Sequence, residues 1–220
     1  AYYEEENLVH LLPRLIQTIK LTKLAYEILV LDSIKPLDKT EALCRKYKIR
    51  YLNRKVDNSY GSAIRTGIKE ARGRYILFMD ADGSHSPEFI PKLLKFRHEY
   101  EIVVASRYVG NGKTENSLPL ILMSRILNWT YAYVLSIPCK DISNSFKIYR
   151  AIDVKPLKLK AKNFDIVEEL IYKVCQNQPN TRIKEVPFLF KKRMFGKTKR
   201  NLFLFIFTFT FTIFKLRFFI

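Results

Sequence analysis

Glycine is scarce in this sequence: seven in 220 residues, about half the usual share of roughly 7%. No G-x-x-x-x-G-K-[ST] and no G-x-G-x-x-G can be read in it, which removes the main support for a phosphate-loop enzyme or a Rossmann dinucleotide binder. Cysteine is also sparse. Cys44, Cys139 and Cys175 are widely separated and form no C-x-x-C, so a reducing compartment is expected rather than a disulfide framework or structural zinc site. Acidic residues are few beside basic ones, 21 against 39, for a formal net charge of +18. Such a surplus points to an anionic partner: nucleic acid, anionic lipid or a phosphate-bearing substrate. Apolar mass is what the chain has in quantity. At 48% hydrophobic and 27% charged it can bury a core, and its length suits one α/β domain. No internal repeat and no linker rich in glycine, serine or proline interrupts it.

Two periods alternate along the chain. Leu8, Leu11, Leu12, Leu15 and Ile19 keep helical spacing, and helices are also predicted over 39–47, 62–71, 87–100, 119–136 and 164–176. Apolar runs over 27–32 and 75–80 read as buried strands ending in an acid, with further strands over 50–53, 101–106 and 182–190. Strands alternating with helices imply a mostly parallel sheet covered on both faces. In such sheets ligands bind beyond the carboxyl ends of the strands, where Asp32, Asp80 and Arg107 stand. Asp80-Ala81-Asp82 is the strongest local signal. Two carboxylates one residue apart on a strand-to-loop corner can grip a hard divalent cation, and Mg²⁺ favours one or two carboxylates plus substrate phosphates. D-x-D is common in surface turns as well, so its place after a buried strand is what gives it weight. Gly61, Ala63, Gly67 and Ala71 put small residues on one helical face, which allows close backbone approach to a sheet or a ligand.

Near the end, Lys191, Lys192, Arg193, Lys197, Lys199 and Arg200 form a basic cluster ahead of an apolar run over 202–214. As a helix that run is about 20 Å long, short of a hydrocarbon core of roughly 30 Å. Lys215 and Arg217 then interrupt it, so it reads as an interfacial or incomplete membrane segment. Its alternating Phe203, Phe205, Phe207, Phe209 and Phe211 fit a strand period too.

The segment from Gly61 to Glu88, GSAIRTGIKEARGRYILFMDADGSHSPE, resembles dolichol-phosphate mannose synthases, inverting glycosyltransferases of family 2. The likeness continues through Ser106-Arg107-Tyr108, Ser124-Arg125 with Asn128, Asp141-Ile142-Ser143-Asn144-Ser145-Phe146-Lys147, Glu185-Val186-Pro187 and Arg193-Met194-Phe195-Gly196-Lys197-Thr198-Lys199. It implies an α/β GT-A fold, a mostly parallel mixed sheet flanked by helices, with a catalytic domain over 1–200 and a membrane-interface or partial transmembrane segment over 201–220. Residues 1–7 resemble the family's P-x-Y-N-E-x-E-N without its leading strand and proline, so the first strand of the fold is expected to be truncated. Tyr3 stands in place of the motif's Asn, and Ser33 in place of the second acid of a D-D-G-S-x-D motif that begins at Asp32.

By the same resemblance, Asp80 and Asp82 hold Mg²⁺ or Mn²⁺ against the donor diphosphate, with Ser84 near a third ligand position. Tyr2, Glu4, Asp32, Gly61, Asp80 and Arg107 are implied to bind the nucleotide-sugar donor. Arg107, Arg125, Arg193 and Lys199 are implied to bind the diphosphate or a lipid phosphate. Asp82, Arg125 and Asp141 make up the implied catalytic group, with Asp141 positioning or base-like near the acceptor; His85 is expected to shape the loop. The implied reaction moves mannose from GDP-mannose to a polyprenyl or dolichyl phosphate, at an anionic membrane surface, with the catalytic domain in the cytoplasm. A donor of UDP-glucose or UDP-GlcNAc, with a lipid phosphate or saccharide acceptor, is the alternative. Processive polysaccharide synthases of the family carry Q-x-x-R-W, whereas the one tryptophan here, Trp129, follows Asn128. A nonenzymatic binder of nucleic acid or anionic lipid is the remote alternative. The basic residues are scattered without a nucleic-acid motif, so no nucleic-acid partner is expected.

Overall fold

The computed structural model describes residues 1–196 and 202–218. Helix α1 (Glu5–Leu21) turns Leu8, Leu11 and Leu12 inward and leads to strand β1 (Leu29–Asp32), α2 (Thr40–Lys46) and β2 (Arg50–Asn53). Next come α3 (Tyr60–Glu70), β3 (Tyr75–Phe78), a 3-10 turn (Pro87–Phe89), α4 (Ile90–Leu94) and β4 (Ile102–Ser106). The second half adds β5 (Lys113–Thr114), α5 (Leu118–Val134), β6 (Lys147–Arg150) and α6 (Ala151–Val154). It closes with α7 (Ile166–Asn177), β7 (Ile183–Pro187), β8 (Leu189–Phe190) and α8 (Leu202–Phe218). The helix predicted over 87–100 is therefore shorter than its periodicity suggests. Beyond Leu94 the chain closes i to i−3 turns, from Phe96 to Leu93 and from Arg97 to Leu94.

β3, β6, β4 and β7 form one sheet in that order, while β1 and β2 pair in parallel as a separate piece. β4 and β7 are parallel, and β6 runs antiparallel to both of its neighbours. Ile102, Val103, Val104 and Ala105 of β4 are all 0% exposed, the continuous apolar run expected of a strand covered on both faces. One face packs Ile102 and Val104 against α5, α7 and α8; the other packs Val103 and Ala105 against α4, Phe146 and Phe188. The facing edges of β1 and β3 border a cleft of about 1480 Å³, lined continuously by residues 27–31 and 73–82, with α1 leucines, Gly67 of α3 and Ala71 just past its end in the walls.

The phenylalanine-rich end is helical, which decides between its two periods. Phe209, Thr212 and Leu216 of α8 are buried, whereas Phe211, Phe214 and Phe218 are exposed. The Tyr131 hydroxyl donates to the Phe209 carbonyl at 2.9 Å, and the Thr212 hydroxyl to Asp165 at 2.8 Å. Among the described residues, no helix is long and apolar enough to cross a membrane.

Gly61 is used for packing. It is not among the residues lining the cleft; its N–H donates to the Lys162 carbonyl at 2.7 Å, and a Cβ there would stand 2.2 Å from the Ala161 carbonyl oxygen. The donor-binding role read for it is corrected on that ground: the small residue admits a crossing backbone. Gly61→Ala is expected to cost about 1–3 kcal/mol, the range for overpacking a filled site, measured as a lower urea midpoint at unchanged slope.

Candidate active site

Past the end of β3, Met79 leads to Asp80-Ala81-Asp82 at the wall of the cleft. Asp80 Oδ1 accepts from the Tyr60 hydroxyl at 3.1 Å and the Ser145 hydroxyl at 3.0 Å, and its own N–H donates to His85 Nδ1 at 3.0 Å. His85 is fully buried, stacked on Phe146 with ring centroids 4.8 Å apart, and its Nε2 meets Asn144 Oδ1 at 3.1 Å. Burial lowers its pKa, so the ring is neutral, and its two partners set it as acceptor at Nδ1 and donor at Nε2. His85 thus joins the 80–85 loop to the 141–146 loop, the shaping role expected of it.

Asp82 Oδ1 accepts from the Ser84 N–H at 3.0 Å and the Ser84 hydroxyl at 2.6 Å. Ser84 is buried and braces the carboxylate through that hydroxyl, where the sequence placed it near a ligand position of its own. Among the described residues, the hydrogen bonds to both carboxylates fall on Oδ1, leaving one oxygen of each for a cation. No cluster of three or more His, Cys, Asp or Glu able to hold a metal occurs among the described residues. Two carboxylate oxygens suit Mg²⁺ or Mn²⁺ completed by phosphate oxygens and water. Tyr60→Phe is expected to weaken Mn²⁺-dependent nucleotide binding about tenfold, the lower end for losing an outer-shell partner, with the thermal midpoint unmoved; calorimetric titration checks it.

Arg107 follows the last residue of β4 and is 8% exposed. Its Nε and Nη2 clasp the two oxygens of Asp141 at 2.9 and 2.6 Å, its backbone N–H adds a third bond at 2.7 Å, and Nη2 also donates to the Ser143 hydroxyl at 2.9 Å. Burial by itself would lower the Arg107 pKa; the charge and hydrogen bonds of Asp141 overcome it and raise it. Asp141 is 0% exposed. With three donors on its oxygens it is the counter-ion of Arg107, which favours the positioning side of the positioning or base-like role the resemblance implies. Arg125, exposed on α5, approaches the Tyr108 ring at 5.5 Å, and Arg107 approaches the same ring at 5.0 Å. Asn128, one turn further along α5, donates to the Ser143 hydroxyl at 2.9 Å and accepts from its N–H at 2.8 Å.

Tyr2, Glu4, Asp80, Asp82, Arg107 and Arg193 line one cleft. The Arg54 guanidinium lies over the Tyr2 ring at 5.8 Å, and Glu4 is ion-paired with Arg193. Asp32 and Arg125 are outside that lining. Asp32 is 1% exposed; its Oδ2 accepts from the Tyr51 hydroxyl at 3.0 Å, and its Oδ1 has no hydrogen-bond partner among the described residues. Lys199 lies outside the described residues.

Residues 1–157 match the glycosyl transferase family 2. The chain belongs to that family. It is 33% identical over 206 residues to the dolichol-phosphate mannosyltransferase of Pyrococcus furiosus, covering 90% of this chain but only 57% of the archaeal protein's length. With the dolichol-phosphate mannosyltransferase of Saccharomyces cerevisiae it shares 29% identity over 210 residues, 90% of this chain and 78% of the yeast protein. The solved structure of Mycobacterium tuberculosis glucosyl-3-phosphoglycerate synthase with Mn²⁺, UDP-glucose and phosphoglyceric acid matches 99% of this chain and 77% of its own, with a TM-score of 0.73 and 17% identity. At that identity the likeness shows the GT-A fold.

For this family 2 chain, the sequence reading missed Tyr60 and gave Ser145 no role. Nothing in the pattern separates Tyr60 from a core aromatic, and its ring does stack on Phe164 at 4.6 Å. Ser145 had a signal: a polar run closing on the fully buried Phe146, the pattern of a loop pressed against a site.

Proposed function

We propose that this chain carries the catalytic domain of a transferase that moves mannose from GDP-mannose to the phosphate of a polyprenol. The observation that carries the reading is one cleft in which the open oxygens of Asp80 and Asp82 share walls with Arg107 and Arg193. Asp80 and Asp82 are the residues to hold Mg²⁺ or Mn²⁺, an ion that offsets charge gathering on the departing nucleoside diphosphate. Arg193 brings a guanidinium to that cleft for phosphate oxygens, and Arg107, whose Nε and Nη2 are held by Asp141, adds its positive charge there. Tyr2 presents its ring to the same cleft.

A polyprenyl phosphate is already largely ionised at neutral pH, its second pKa being about 6. Its oxygen attacks the anomeric carbon, the bond from that carbon to the β-phosphate oxygen breaks, and the electron pair leaves on GDP with inversion at the sugar. No proton has to be removed first, which agrees with Asp141 being committed to Arg107. The names of the archaeal and yeast relatives support the acceptor class.

The acceptor's lipid fits the outer surface of α5. Leu118, Leu122, Ile126, Trp129 and Tyr133, at helical spacing, are 55–81% exposed, and Phe211, Phe214 and Phe218 of α8, a helix that packs on α5, are exposed as well. Tryptophan and tyrosine favour the headgroup level of a bilayer, and the +18 charge favours an anionic leaflet. Met123, Ser124 and Leu127 of the same helix line the cleft, so a membrane on this face brings a headgroup to the site. A nucleotide-sugar donor places the catalytic domain on the cytoplasmic side.

Radiolabelled GDP-mannose, UDP-glucose and UDP-GlcNAc, each offered with polyprenyl phosphate in anionic vesicles and either Mn²⁺ or EDTA, provide the test. Label passing from GDP-mannose into the lipid phase only with the metal is the expected result. Transfer from a UDP-sugar instead would replace the donor; no lipid label from any donor, or indifference to EDTA, overturns the reading.

A further inference from the structure

Beyond β8, residues 191–196 run as a strap between the Asp80–Ser84 loop and the start of α1. On the loop side, the Lys191 N–H donates to the Ser84 carbonyl at 3.2 Å and the Met194 N–H to the Asp82 carbonyl at 2.9 Å. Gly83 sits beneath at φ +81°, where a Cβ would meet Met194 Cγ at 2.6 Å. On the helix side, Asn7 is 2% exposed and treats Phe195 as a strand partner. Its Oδ1 accepts from the Phe195 N–H at 3.0 Å and its Nδ2 donates to the Phe195 carbonyl at 3.3 Å. The same Nδ2 donates to Glu4 Oε2 at 2.5 Å, and Glu4 Oε1 pairs with Arg193. His10, one turn along α1, stacks on the Phe195 ring at 5.3 Å.

We propose that Asn7 is a positioning residue for the transfer reaction: it pins the strap to α1 and thereby keeps Arg193 at the donor diphosphate, an assignment that rests on reading the cleft as a nucleotide-sugar site. A side-chain amide carries a donor and an acceptor in one plane, so it can close a two-bond ring with the N–H and C=O of a single residue. Aspartate has no donor to complete that ring, and alanine has neither group. Asn7 is buried and Phe195 half-buried, so losing Asn7 takes these partners from the Phe195 backbone where water has limited access. Arg193 stands two residues from that anchor and one from Met194, which is bonded to the D-x-D loop. Strap, metal loop and helix start are therefore fastened at adjacent residues, and freeing one fastening lets Arg193 leave the cleft while the sheet stays intact.

The test compares the parent with Asn7→Ala, Asn7→Asp, Arg193→Ala and the Asn7→Ala/Arg193→Ala double variant. One readout is calorimetric binding of GDP or UDP with Mn²⁺; the other is the rate of tryptic cleavage after Lys191, Lys192 and Arg193, mapped by mass. Asn7→Ala is expected to weaken nucleotide binding and to speed cleavage by about tenfold each, the scale of one buried hydrogen-bonded link. Asn7→Asp, which keeps the size and one acceptor, shifts both in the same direction and serves if the alanine variant does not fold. The double variant binds no more weakly than Arg193→Ala alone, because Asn7 acts through that arginine. Additive losses overturn the assignment, as does unchanged cleavage with nucleotide binding intact. If the parent binds neither nucleotide the cleft reading fails by itself, and faster cleavage in Asn7→Ala still supports the pinning of the strap.

Discussion

Asp82→Ala is expected to reduce metal-dependent sugar transfer by about a thousandfold, the several kcal/mol that a bound cation contributes at a developing negative charge. The side chain supplies one of the two carboxylates with an oxygen left open, and no third acidic ligand stands by among the described residues. The fold has little at stake. Among the described residues, Asp82's side chain bonds only its near neighbour Ser84, and the bond to the strap comes from its backbone carbonyl, which alanine keeps. Asp82→Asn separates charge from bracing. The amide oxygen can still accept from Ser84, so a comparable loss there assigns the effect to the carboxylate. Initial rates of label transfer across a Mn²⁺ titration measure both variants; turnover equal to the parent's at every metal concentration would remove Asp82 from the site.

Asp141→Ala acts on the fold first. Arg107 is 8% exposed, and Asp141 is its bidentate partner. Deleting the acid strands a largely buried guanidinium without its counter-ion, a defect of about 3–5 kcal/mol. A domain of ordinary stability, about 5–15 kcal/mol, loses a large part of its margin. Asp141→Asn keeps an acceptor but not the charge and falls between. The discriminating variant is Arg107→Met with Asp141→Leu, which removes both charges together; it is expected to recover most of the stability and none of the transfer. Urea unfolding of the three variants reads the first effect and the label assay the second. An Asp141→Ala protein as stable as the parent would show that Arg107 needs no counter-ion.

The parts of the site legible in the sequence were those whose chemistry and position coincide in one segment. Asp80 and Asp82 follow an apolar strand directly, so strand period and carboxylate spacing point to one corner. The pairing of Asp141 was not legible because its partner lies 34 residues away, and a carboxylate looks the same from sequence whether it faces a substrate or a guanidinium. β6 was missed for a related reason. Its four residues begin with Lys147 and end with Arg150, yet Lys147 is 0% exposed, its ammonium donating to the carbonyls of Ile142, at 2.8 Å, and Asn144. A buried amine satisfied by a neighbouring loop leaves no apolar signature. Gly61 and the tail show the opposite limit: small-residue spacing and phenylalanine alternation each fit two structures, and only tertiary contacts chose between them.

The buried ring of His85 has one more consequence. It stands 4.0 Å from the second oxygen of Asp80, close enough that a charged imidazolium would compete with any cation arriving there. Held neutral, the ring is blind to that arrival. Its Nδ1 keeps the Asp80 N–H and its Nε2 keeps Asn144, whose own amide donates to the Ala105 carbonyl at 2.6 Å in β4. The joint between the 80–85 loop and the 141–146 loop is therefore closed through both ring nitrogens and tied on to β4.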